Sequence, residues 1–171
     1  MAMNFKVLEN EKIVAEYAAD ILRKQFNNNP TTIAGLHLSN DNSPVLDELK
    51  KNVDNHPVDF SQINILDYDD NKSYFEALGV PEGQIYNVSF NEDTESFISD
   101  KIKTKENKGK LITQVLSIDT NGKLNVSVKQ GLFSAREVIL IITGADKKEI
   151  VHKLYEENGK TNFEPSDLKA H

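Results

Sequence analysis

Apolar residues along the chain switch between two periods, and the switches mark out its elements. Ile13, Tyr17 and Ile21 recur every four residues, and so do Val14, Ala18 and Leu22, which predicts one helix with a single apolar stripe. Asn10 stands in its N-cap position, and Arg23 and Lys24 lie near the end where the helix dipole favours cations. Asn27-Asn28-Asn29-Pro30 stops it, because proline restricts the residue before it and asparagine accepts turn conformations. Ahead of the helix, the alternation over Asn4–Glu9 predicts a short strand. After it, Thr31–Leu38 reads as a strand that delivers the loop Ser39–Ser43, and Pro44 opens a helix running through Val53. Ile63–Leu66 is a second interior strand, followed by the acidic loop Asp67–Asn71 and a short helix over Ser73–Leu78. Gly79–Gly83 is turn chemistry.

The second half continues the alternation. Ile85–Phe90 is extended, and Asn91 caps a charged helix through Thr104 on which Phe97, Ile98 and Ile102 share a face. Leu111–Ile118 and Lys123–Val128 are strand-like and joined across Asn121-Gly122, whose positive φ angles suit a tight hairpin. Glu137–Thr143 is almost unbroken apolar, as expected of a strand covered on both faces, and Gly144 ends it. Asp146–Glu157 forms the last helix, with Ile150, Val151 and Leu154 inward. Strands alternating with helices predict an α/β fold, a doubly wound and mainly parallel sheet with helices on both faces, Rossmann-like, with one β-hairpin at 111–128. One domain is expected over residues 1–160 and a loose tail over 161–171. In such sheets ligands bind beyond the carboxyl ends of the strands, which places the loops after Leu38, Leu66 and Thr143 around one crevice.

Composition narrows the chemistry. The 171 residues contain no cysteine, so thiolate catalysis, disulfides and Cys-ligated metals are excluded, in keeping with a reducing, cytoplasmic setting. A formal charge of -7 disfavours nucleic acid and anionic membrane surfaces as partners, although a small anion can still be held locally. The N-terminus lacks a basic region followed by an apolar core, and the most apolar run, Val138–Ile142, is far below the roughly 20 residues needed to span a bilayer. Three carboxylates in Asp67–Asp70 without a histidine beside them in sequence read as a solvated turn, and no metal or cofactor is expected. His37, at the end of an apolar strand, reads as a hydrogen-bonded structural residue before it reads as a ligand contact. The spacing of His56 and His152 points to no metal site.

The block Val126–Lys147, with Gly131-Leu132-Phe133-Ser134 leading to the apolar strand and then Thr143-Gly144-Ala145-Asp146-Lys147, resembles the glucosamine-6-phosphate isomerase/deaminase family. The related 6-phosphogluconolactonases and the wider ribose-phosphate isomerase and CoA-transferase-like folds are compatible with the same residues. Three more stretches fall in the family's order. Ala34-Gly35-Leu36 to Ser43-Pro44 is placed like its sugar-phosphate loop, Asn64–Tyr68 like its acidic catalytic loop, and Ser73-Tyr74-Phe75 with Gly79-Val80-Pro81 like the segment after it.

The resemblance implies a phosphorylated sugar as ligand, with Asp67 as catalytic base and Ser39, Ser43, Gly144 and Lys147 on the substrate. Lys147 corresponds to a phosphate-binding lysine at a helix N-terminus; read by itself, it is an exposed first-turn lysine beside Lys148. The departures are as informative. With Tyr68 as anchor the family's base position holds Leu66, and Asp67 becomes the base only through a one-residue shift. The family's ring-opening Asp-Gly-His stretch is replaced by Asp119-Thr120-Asn121-Gly122-Lys123, in which an amide and an ammonium stand where an acid and an imidazole are needed. The family's lid-like insertion and last core strand have no counterpart. The expectation is a shortened member with degenerate catalytic machinery or, alternatively, an inactive paralogue that senses a metabolite or binds protein. A homo-oligomer would cover the sheet edge so exposed.

Overall fold

In a computed structural model that describes residues 6–39, 42–88, 97, 111–117 and 137–156, five strands form one sheet in which every pairing is parallel. The strands are β1 (Ile33–Leu36), β2 (Asn64–Asp67), β3 (Ile85–Asn87), β4 (Leu111–Ser117) and β5 (Glu137–Ile141), in the spatial order β3-β2-β1-β4-β5. The helices are α1 (Glu11–Asn28), α2 (Ser43–Asn55), α3 (Lys72–Leu78) and α4 (Lys148–Glu156), with 3-10 turns at Glu82–Gln84 and Ala145–Lys147. β1 lies at the centre. The chain winds outward from it to β2 and β3 and later returns to β4 on its other side, so strand order reverses between β1 and β4.

Burial explains why these segments take these forms. β1 and β2 are buried at every position, as strands covered on both faces must be. On one face Ala34, Leu36, Ile65, Ile85, Val115 and Ile141 meet α1 through Leu22 and Phe26, α2 through Leu49 and α3 through Phe75. On the other, Ile33, Leu66, Tyr68, Val88 and Leu116 form a second cluster against which Phe97, itself helical, is packed. The Tyr68 ring lies directly over Gly35: a Cβ there would stand 2.5 Å from the phenol oxygen, and that hydroxyl donates to Gln114 Oε1 at 3.2 Å.

The α/β reading and most element positions agree with the sequence. Asn10 caps α1 by accepting the Ile13 N–H at 3.0 Å, and Pro44 stands in the first turn of α2. Some boundaries differ. Residues 6–9 form no strand, and Val7 is 91% exposed: among the described residues no strand lies beside this alternation to pair with it. Asp67 is the last residue of β2 and not the first of its loop, and Lys147 ends a 3-10 turn that precedes α4. The helix expected over 91–104 (Phe97 apart), the second arm and turn of the hairpin, and the 161–171 tail lie outside the described residues.

Candidate functional site

β1 and β2 end side by side, with Leu36 opposite Asp67 in the ladder. Asp67 is only 1% exposed. Its two oxygens accept the backbone N–H groups of Asp69 at 3.1 Å and Asn71 at 2.6 Å, which folds the loop back over the strand end. Burial pushes the Asp67 pKa above the ordinary aspartate value; the two backbone bonds oppose that rise, and the nearby charges of Asp69 and Asp70 add to it. Asp70 takes a left-handed φ of 62°, a conformation aspartate tolerates, and the chain then turns into α3.

The same loop reaches across to β1. Asp69 sets both carboxylate oxygens 2.8 Å from His37 Nδ1, and its Oδ2 also accepts the Leu38 N–H at 3.1 Å. Both side chains are largely buried, 5% exposed for His37 and 10% for Asp69. Asn71 Nδ2 donates to Ser39 Oγ at 3.4 Å. Asn42 occupies the N-cap position of α2 without capping it. Its amide is turned inward and donates to the His37 carbonyl at 2.9 Å and the Leu116 carbonyl at 3.3 Å, tying the ends of β1 and β4 together where strand order reverses.

The third region follows β5. Gly144 has φ +97°, a backbone conformation that side chains strain to adopt, and a Cβ on it would stand 2.5 Å from Asp146 Oδ1. The turn closes with the Lys147 N–H on the Gly144 carbonyl at 3.2 Å. Lys147 is 3% exposed and its Nζ donates to the Thr143 carbonyl at 3.2 Å, so it is a buried cation and not the exposed first-turn lysine of the simpler reading. β5 lies two strands from β1 and three from β2, about 10 and 15 Å at the usual strand spacing. A shallow groove lined by Val14, Pro44, Val45, Ile141 and Thr143 joins the start of α2 to the end of β5.

Of the residues singled out by sequence, Ser39 and Asp67 are brought together through Asn71, and Ser43 is exposed at the start of α2. Gly144 and Lys147 stand apart on the far side of β4. Asn40 and Asp41 lie outside the described residues. Sequence reasoning missed the His37–Asp69 pair and the ties made by Asn42 and Asn71. The available signal was a histidine just past one strand and an aspartate just past the next. Among the described residues, no group of three or more His, Asp or Glu side chains is placed to hold a metal ion, and no helix is long and apolar enough to cross a membrane.

No protein-family profile matches the chain, and no curated protein matches it in sequence. Solved structures do match in fold. A monomeric glucosamine-6-phosphate deaminase of the NagB superfamily superposes with a TM-score of 0.80 at 17% identity, over 99% of this chain and 94% of that one. A 6-phosphogluconolactonase from Shewanella baltica gives 0.66 at 10% identity, over 98% and 92%, and the devB protein gives 0.61 at 11%, over 97% and 91%. The chain therefore has the sugar-phosphate deaminase/lactonase fold, and it covers nearly the whole of that deaminase.

Proposed function

We propose that this protein binds a phosphorylated sugar of the glucosamine-6-phosphate kind across the carboxyl end of its sheet and isomerises or deaminates it. In this reading Asp67 is the base that takes a proton from carbon, Ser39 and Ser43 meet sugar and phosphate oxygens, and Gly144 lets the backbone approach the ligand. Lys147 holds the phosphate. The observation that carries the proposal is Asp67: a carboxylate buried at a strand end, with its pKa raised by that burial, in the fold of a glucosamine-6-phosphate deaminase. A base held in the acid range is too weak to take a proton from carbon, and burial moves it towards usefulness. A buried lysine adds to the argument, since an ammonium shielded from water attracts a dianion far more strongly than an exposed one. The neighbour's monomeric state and similar extent support a single chain as the working unit in place of a homo-oligomer, and the absence of cysteine suits the cytoplasm.

One observation favours a second reading. Both Asp67 oxygens already accept backbone N–H groups, which is what a residue that merely shapes the loop would do. In that case the fold binds a sugar phosphate without converting it and serves as a sensor. A thermal-shift titration with glucosamine-6-phosphate, galactosamine-6-phosphate and 6-phosphogluconate tests binding, because a ligand selective for the folded state raises Tm. The proposal expects at least one of them to do so and Lys147→Ala to remove most of the effect; no shift at millimolar ligand overturns it. Ammonia release and ketose formation then separate the two readings, with Asp67→Asn as the inactive control.

A further inference from the structure

We infer that His37 is a second proton-transfer group of this site, held by Asp69 to work on the oxygen or nitrogen substituents of the bound sugar while Asp67 works on carbon; the inference rests on the sugar-phosphate reading above. A carboxylate only accepts hydrogen bonds, and both Asp69 oxygens stand 2.8 Å from His37 Nδ1. Nδ1 therefore carries a proton, and the nitrogen that gains and loses one is Nε2. The carboxylate is itself fixed by the backbone N–H of Leu38, so the ring is oriented by a group that does not depend on the ring for its own position. Histidine held through one nitrogen by a carboxylate has its tautomer and direction set, which is what general acid–base work requires. A histidine that only filled space needs no such placement at the mouth of the sheet, next to the point where strand order reverses.

Isomerisation also calls for a second group. Moving a proton from C2 to C1 of an open-chain aldose obliges the substituents on those carbons to exchange a proton too. Asp67 takes the C2 proton, the C2–H electrons form the C1=C2 bond, and the carbonyl electrons of C1 move onto O1, which takes a proton from protonated Nε2. Asp67 then returns its proton to C1 as neutral Nε2 removes one from the oxygen or nitrogen on C2, leaving a C2=O or C2=N bond. Both residues end as they began, and no oxidant, metal or further reactant is consumed. Leu36 and Asp67 are ladder neighbours, so His37 and Asp67 leave adjacent strand ends, and Asp69 is bonded to both residues, through its carboxylate to His37 and through its N–H to Asp67.

The experiment uses the full chain with glucosamine-6-phosphate and reads both the ligand-induced Tm rise and product formation. His37→Ala is expected to keep most of the Tm rise, to lose about 100-fold or more in product formation, and to recover part of it when imidazole is added, whereas Asp67→Ala gains nothing from imidazole. Should the alanine variant fail to fold, His37→Gln carries the same loss of rate. Asp69→Asn, a change to a positioning residue, is expected to lower kcat with KM near the wild-type value, and Asp69→Glu to recover part of the loss. Wild type that binds but does not turn over, or a His37→Ala variant as fast as wild type or deaf to imidazole, overturns the role of His37 and leaves sugar-phosphate binding standing. Absence of any Tm rise in wild type overturns the sugar-phosphate reading, and the role of His37 with it.

Discussion

The ends of β1 and β2 and the end of β5 hold their polar residues in opposite ways. At β1 and β2 the placement is cooperative: Asp69 binds His37 and the Leu38 N–H, Asn71 binds Ser39 and Asp67, and every tie but one crosses between loops some 30 residues apart in sequence. At β5 it is local. Gly144 turns the backbone, and Lys147 is held by groups three and four residues before it. A network of side chains suits groups that must keep fixed directions, as proton transfer demands. A backbone turn suits a charge that needs only to be near its partner.

The largest effect on that contrast is expected from Asp69→Ala. It removes an acceptor shared by a buried histidine and a backbone N–H, and the cost to stability is about 2–3 kcal/mol, read by denaturant unfolding. Because the network spans two loops, amide exchange should speed up in both; acceleration confined to residues 67–71 would show the loops to be independent. Gly144→Ala comes next, at about 1–3 kcal/mol from the strained φ, and its disturbance should stay within the β5 turn. Changes in the amides of residues 37–39 would break the distinction between local and cooperative placement.

The smallest expected effect is on pH dependence. Asp67 has a folded-state pKa raised by burial, so its contribution to stability is fully present below the ordinary aspartate value of 3.8 and is lost as pH rises through the raised one. Asp67→Asn does not titrate. Measured by unfolding from about pH 3 to about pH 7, wild type should therefore lose ground to the variant as pH rises. A gap that moves in favour of wild type would mean that the two backbone bonds outweigh desolvation.

What could be read from the sequence follows the same division. Local rules found α1 with its Asn10 cap, the proline-started α2, and β5 as an unbroken apolar run, because each depends on residues a few positions apart. Gly144 was legible for the same reason. Strand order was not, since nothing in a strand's own pattern says which neighbour it pairs with, and the His37–Asp69 bond could not be seen without knowing that β1 and β2 are adjacent. The strand expected through Leu38 stops at Leu36 because the Leu38 N–H is taken by the Asp69 carboxylate, a long-range event. The segment before α1 shows the converse: alternation in Asn4–Glu9 predicts a strand, and with no partner strand beside it among the described residues none forms over residues 6–9.

An NMR titration of the isotope-labelled protein with glucosamine-6-phosphate tests most directly whether the three strand ends form one site. Amide shifts at residues 37–39, 67–71 and 144–147 that saturate together, with a single binding constant, are the expected result. Shifts that leave out either the β5 turn or the paired β1 and β2 loops would contradict a ligand spanning them.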